Sequence, residues 1–470
     1  MMFHAHIGIV LLVALVTQAR AAEPDGAGPE GTAAPVRPEI NWIYRSMENW
    51  SVLADPALRT DPFDPIKYIP LAADPKTYLS LGLTVRERYE SLSFSLPPVL
   101  RPDDYLLSRV QLHADLHLGS YVRIFAQVID ARAPWKNQVG PVDQDRLDLA
   151  QAFVDITVPV GAGTLVFTVG RHDPFFDLQR FAAIREGPNV PGPFDSIAAA
   201  YTLEHWQVVA FYSQPVDTID EHPFDDYSNN HFTLSGARLV RSNVGPGTLS
   251  LLGAQLRNDD ARYLAVAGTE RRNVLDLRYA GRAAGWDWDV EGMAQGGSIG
   301  GTSIRAWGGG VLFGYTFAPL PWRPRLGLQF DAASGNRDPN GDTLRTFNPL
   351  FPNGFYEMLS GYPGYANFVH LRPSVMVRPA KPLSMVFNVG LLWRETTADA
   401  VYLLPAIPVP GTAGRGSAYS GSYAQIRLDW EIARHLVGAV DVEQFWQSQS
   451  LRDAGATDGH YLGVQIEFGI

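Results

Sequence analysis

Arginine recurs on the polar phase of alternating stretches at Arg86, Arg88, Arg109, Arg123, Arg372, Arg394 and Arg427. Downstream of Asp155, one polar segment gathers Arg171, Arg180 and Arg185, with Glu186 beside the last. A guanidinium presents a planar fork of donors that holds two carboxylate oxygens at once, and basic residues around a pore favour anions. Residues of this type in this pattern suit contact with carboxylate-bearing solutes along a wall. A conducting wall must bind weakly at many places, or the solute would not leave. Acids at Asp115, Asp155, Glu186, Asp331 and Asp429 carry the opposing expectation, in which the arginines only neutralise a polar interior.

Other patterns are weaker. Asn336, Asp338, Asn340, Gly341 and Asp342 imitate the start of a calcium loop, with oxygens at alternate positions and a glycine at the bend. Where such a loop needs a bidentate Glu, the chain has Phe347. Asp338, Asn340 and Asp342 therefore read first as an Asn/Asp/Gly turn and only second as a calcium site. Gly296 to Gly300 has the spacing of a nucleophile elbow but lies between strands, where that motif joins a strand to a helix. The chain has no phosphate-binding loop, no His-Glu-x-x-His zinc motif and no cysteine, so no catalytic residue is assigned and no cofactor is expected. The stretch with Phe347, Phe351, Phe355, Tyr356, Tyr362 and Tyr365 is too apolar for a solvated loop tip. It is expected to fold over or into the molecule as a gate, with Asp338, Asn340, Phe347 and Phe351 as its marker residues.

The elements that must position these residues are strands. Leu79, Leu81, Leu83 and Val85 oppose Ser80, Thr84, Arg86 and Arg88, and the same period of two runs through Val110 to Leu118, Val122 to Val128, Gln151 to Val158, Leu326 to Asp331, Leu383 to Leu391, Ala424 to Trp430 and Leu462 to Phe468. Ile304 to Phe317 is apolar on both faces and has no readable phase. Short turns are expected near Gly119, Gly161, Glu204, Gly245, Ala284, Pro319, Pro379 and Arg434. They alternate with long connections, Asn258 to Thr269 and Asn336 to Tyr365 among them, and a shorter one near Gly297. One trimmed end and one extended end over about eighteen strands predict an all-β fold: a transmembrane antiparallel up-and-down barrel of the outer membrane. Its short turns face the periplasm and its long loops face outward.

Totals agree. The absence of cysteine suits an envelope protein, and 38 basic against 49 acidic residues, net charge −11, argue against nucleic acid as partner. An apolar run from Ile7 to Val16 ahead of Ala19-Arg20-Ala21 reads as a signal peptide over 1–22. Residues 23–76 form a Pro-rich arm, disordered at its start and then ordered but irregular, with Trp42, Tyr44, Trp50, Phe63 and Tyr68 needing a surface to pack on. Residues 77–470 are the barrel.

Over that span the chain resembles the alginate export family. The resemblance rests on Gln151-Ala152-Phe153-Val154-Asp155, on Gly170-Arg171 with Gln179-Arg180, on Arg185-Glu186-Gly187-Pro188-Asn189 followed by Phe194-Asp195, and on Asp338-Pro339-Asn340 with Thr346 to Gly354. After Arg171 the chain departs from the family's Gln-Glu-Leu type run with His172-Asp173-Pro174-Phe175-Phe176-Asp177. The resemblance implies an eighteen-stranded, arginine-lined outer-membrane channel that exports an anionic polysaccharide such as a polyuronate, with periplasmic export components and the lipid bilayer as partners. A porin for uptake of small acidic solutes or oligosaccharides is the alternative. A membrane-embedded hydrolase lacks a pairable nucleophile and base.

Overall fold

The computed structural model describes residues 36–173, 180–181 and 187–470. The expected signal peptide, Arg185, Glu186 and the run from Pro174 to Asp177 lie outside them. Eighteen antiparallel strands close into a barrel. They are β1 Tyr78–Leu92, β2 Asp103–Leu118, β3 Val122–Arg132, β4 Asp145–Val160, β5 Gly163–His172 and β6 Phe194–Leu203. Next come β7 Trp206–Asp217, β8 Phe232–Val244, β9 Gly247–Arg262, β10 Ala267–Ala283, β11 Trp286–Ile299 and β12 Thr302–Thr316. The last are β13 Arg325–Ala333, β14 Phe368–Ala380, β15 Leu383–Trp393, β16 Tyr419–Ala433, β17 Leu436–Gln447 and β18 Gly459–Gly469. Each pairs with the next, and β1 meets β18 from Thr84 opposite Gly469 to Leu92 opposite Tyr461. Among the described residues no helix is long and apolar enough to cross a membrane.

The period of two becomes two surfaces. Leu112, Ile124, Val169, Ile197, Leu275, Phe387 and Ile466 are exposed on the outside, while Ser80, Thr84, Gln111, His113, Gln127 and Gln151 are buried within. The sorting follows from the solvent, since Arg or Lys on the lipid face at mid-membrane costs roughly 2–4 kcal/mol. β12 explains its own illegibility. Ile304, Ala306, Gly308, Gly310, Leu312 and Gly314 face inward, and Trp307 and Phe313 outward. Glycines stand where other strands carry polar side chains, so no alternation could be read. A Cβ on Gly308 would lie 2.8 Å from the Phe347 ring, so the bare wall gives that ring its place.

Strict alternation of short and long connections does not hold throughout. Asn258 to Thr269, expected as an extended loop, is a hairpin prolonged beyond the barrel wall: β9 and β10 stay paired to Arg262 and Ala267, and only 263–266 turn. Polar side chains at a strand end above the bilayer read in sequence as loop. β11 and β12 likewise join through Gly300 and Gly301 alone, both at positive φ.

The arm has found its surface at the short-turn end. Trp50 and Tyr68 are buried with Tyr78 of β1, and Lys67 lies within cation–π distance of Trp50, 5.1 Å from the ring centroid. Lys67 Nζ donates to Leu81 O at 3.1 Å, Arg123 of β3 donates to Ser46 O, and Arg45 donates to Ile470 O. Asp61 accepts from Arg434 Nη1 at 3.1 Å and lies 2.8 Å from His435 Nε2, both on the β16–β17 turn. Burial alone would raise the Asp61 carboxyl, but the Phe63 N–H, His435 and Arg434 outweigh it and hold it down at about 2.

Candidate functional site

The interior is occupied from both ends. From the long-loop end, 334–367 descends into the barrel and ties itself to opposite walls. Gln295 of β11 donates to Asn348 O at 2.6 Å, while Gln425 of β16 accepts from Leu359 N at 3.2 Å and Glu443 of β17 from Ser360 N at 3.1 Å. Tyr365 donates to Gly309 O at 2.7 Å, and Phe351 N to Phe181 O at 2.7 Å. A short helix, Gly354–Glu357, lies within this segment.

Among the described residues, two cavities flank this segment. The outer one, ≈ 710 Å³, is walled by Tyr105, Phe194, Phe232, Tyr263 and Phe351. The inner one, ≈ 170 Å³, is walled by Arg86, Arg109, Arg372 and Arg427 with Gln111, Gln127, Asn388, Gln425 and Gln465, and reaches Trp42, Ile43 and Arg45 of the arm. Pro193, Phe355 and Leu359 line both, so they form the partition.

The arginines named from sequence divide into groups. Arg86 and Arg109 stand directly opposite each other on β1 and β2. Arg86 Nη2 donates to Pro188 O and Asn189 Oδ1, both at 3.1 Å, and Arg109 Nη1 to Asn189 O at 3.5 Å. Arg372 donates to Glu357 O at 2.9 Å and to Gln329 Oε1. Arg88 pairs with Glu90 at 2.6 Å and Asp441 at 3.0 Å, and Arg427 with Asp429 at 2.9 Å and Asp441 at 3.0 Å. Arg123 forks onto Asp115 at 2.8 Å with Asp155 at 3.7 Å, and Asp155 in turn accepts from Thr168 at 2.6 Å. Arg171 forks onto Asp195 at 3.0 Å. For Arg88, Arg123, Arg171 and Arg427, internal neutralisation is therefore realised.

Arg394 is a correction to the lining expectation. It follows the last residue of β15 and donates to the carbonyls of Asp399, Thr412, Arg415 and Ser417, clamping the loop 394–418. A run of carbonyls turned toward one guanidinium is created by the loop's path and leaves no mark in the sequence.

Arg180, gathered with Arg171 in one polar segment of the sequence, parts from it in the fold. It is 2% exposed deep in the barrel, with Asp289 at 3.2 Å, Glu291 at 2.8 Å, Asp331 at 3.3 Å and the Tyr356 hydroxyl around it. Arg278 and His370 join the same acids, at 2.6 Å from Asp289 and 3.5 Å from Asp331. The signal that could have found this centre is Asp287, Asp289 and Glu291, three inward acids at period two on β11.

Of the gate markers, Phe347 is fully buried against Phe181 and Tyr365, and Phe351 meets Phe194 and Phe232. Asp338 and Asn340 lie on an exposed turn in which Asp338 accepts from Asn340 N at 3.2 Å and Gly341 N at 3.2 Å. Asp342 accepts from Thr343 Oγ1 at 3.0 Å. Phe355, one of the aromatics of that stretch, and Leu359 sit in the partition, where the markers Phe347 and Phe351 do not.

A sequence profile of the alginate export family matches residues 77–465. A search of curated proteins finds no match. Among solved structures, the barrel is similar to the outer membrane protein OpdK of Pseudomonas aeruginosa, with TM-score 0.56 and 12% identity over 83% of this chain and 98% of that one. It is also similar to OccK2 (OpdF) of Pseudomonas aeruginosa in complex with glucuronate, with TM-score 0.55 and 13% identity over 83% and 98%. A BenF-like porin from Pseudomonas fluorescens gives TM-score 0.55 and 11% identity over 83% and 98%. At these identities the likeness is one of fold.

Proposed function

The chain belongs to the alginate export family of outer-membrane β-barrel channels, and we propose that it exports an anionic polysaccharide of the polyuronate class. The observation that carries this reading is the inner cavity, where the facing pair Arg86 and Arg109 and the nearby Arg372 share a wall with Gln111, Gln127, Asn388 and Gln425. Guanidinium forks suit carboxylates and amides suit hydroxyls, which are the two polar groups a polyuronate repeats along its length. Like charges placed directly across a strand pair work against stability, so their placement speaks for use. On this reading residues 1–22 are removed on export, 23–76 form a periplasmic arm, 77–470 form the barrel, and periplasmic components deliver polymer to the short-turn end.

A second reading, uptake of small acidic solutes or oligosaccharides, is favoured by the closed partition. An inner cavity of ≈ 170 Å³ is smaller than sites for drug-sized ligands, roughly 300–1,000 Å³. A chain-like cargo therefore requires 334–367 to move, whereas a single acidic sugar asks less. Planar-bilayer conductance of the purified protein separates the two. Export predicts block by polyuronate added on the periplasmic side; saturable conductance for monomeric uronates without polymer block would sink export in favour of uptake.

A further inference from the structure

We propose that Asp145, Asp148 and Asp226 form a calcium site at the outer end of the inner cavity, joining β4 to the loop 218–231. Each offers a carboxylate oxygen, and these lie within 4.8 Å of one another. Asp145 and Asp226 both line the inner cavity. Calcium takes about six to eight oxygen ligands in flexible geometry, several carboxylates among them, whereas magnesium keeps most of its waters and is usually held by one or two carboxylates.

The local backbone is built to bring these acids together. In a regular strand, residues three apart face opposite sides. Here Leu147 takes φ +56° and is turned outward, and the pairing with β3 shifts register on either side of Asp148. Asp145 and Asp148 consequently share the inner side, each 2% exposed. Asp148 is held in place by the N–H groups of Leu149 at 2.6 Å, Asp225 at 2.8 Å and Asp226 at 3.3 Å.

Independently of that clustering, Asp145 Oδ1 is buried and has no hydrogen-bond partner. An ionised carboxylate so placed requires a compensating charge. The guanidiniums nearby are committed elsewhere: Arg171 forks onto Asp195 and lies 4.0 Å from Asp148, and Arg146 holds Asp220 at 2.8 Å. A hard divalent cation meets the need with oxygen ligands alone, water from the cavity completing its shell. The site does not depend on which cargo the channel carries.

The test is calorimetric titration of full-length, EDTA-stripped protein in detergent with calcium chloride near neutral pH, alongside hydrogen exchange of amides 218–231. Saturable binding with slowed exchange in that loop is expected, and Asp226→Asn, a loop substitution that spares the barrel, should weaken binding roughly tenfold or more through the lost ligand charge. Asp338→Asn with Asp342→Asn should leave binding unchanged. Absence of saturable binding, native affinity retained in both Asp145→Asn and Asp226→Asn, or equal affinity for magnesium would overturn the proposal.

Discussion

Replacing Arg180 with alanine would leave Asp289, Glu291 and Asp331 facing one another in a closed interior. Removing one partner of a buried ion pair typically costs about 3–5 kcal/mol, because the remaining charge keeps its desolvation penalty without its compensation. We expect Arg180→Ala to destabilise the protein by about that much, read by urea unfolding in detergent; a loss below about 1 kcal/mol, the level of an exposed pair, would show that the centre is dispensable. Arg86 and Arg109 are predicted to behave differently, since their described contacts include the carbonyls of 188–189 and their side chains border the cavity. Reversing both, Arg86→Glu with Arg109→Glu, should move the reversal potential toward cation selectivity while the barrel still folds. Unchanged selectivity would remove both from the conducting wall. That these arginines point inward follows from their phase, so it was legible in sequence. Which of them are neutralised was not, because partners such as Asp441 and Arg88 are 353 residues apart along the chain.

At the scale of an element, the descending loop 334–367 is the part to perturb. Its aromatic content and its Gly/Pro punctuation already excluded a solvated tip. Its anchors decide what it does. Glu357 is fully buried beneath the partition, and neither carboxyl oxygen meets a donor on another residue. Desolvation, reinforced by Asp331, pushes its carboxyl well above the ordinary value of 4.5. Between that value and the raised one, the docked loop holds a proton that an undocked loop has released, so docking weakens as pH rises. Conductance should therefore increase with pH above about 4.5, and Glu357→Gln should flatten that dependence. Deletion of 339–361 should raise open-channel conductance at every pH; an unchanged conductance would exclude gating by this loop. Phe355→Ala should give a smaller rise than the deletion, as it opens the partition without freeing the loop.

For the whole molecule, the arm closes the other end. Trp42, Ile43 and Arg45 border the inner cavity, and the arm's attachments run to β1, β3, the β16–β17 turn and the C-terminal Ile470. Removing 36–76 should raise conductance with the loop intact and speed polymer block from the periplasmic side; if neither changes, the arm is only a brace. The sequence by itself determined the barrel, its even strand count, the outward and inward faces of the strands other than β12, and the trimming of one end. The faces come from a period-two pattern imposed locally by lipid on one side and water on the other, and the trimmed end from the lengths of the connections. It also showed that the arm's aromatics need a surface. Only the tertiary structure decided where the interior is closed. The partition at Pro193, Phe355 and Leu359, the Arg180 centre, the Arg394 clamp and the seating of the arm are contacts across the lumen between residues far apart in the chain. Such contacts are set by how loops of particular length cross a barrel of particular width, and no local periodicity records that geometry.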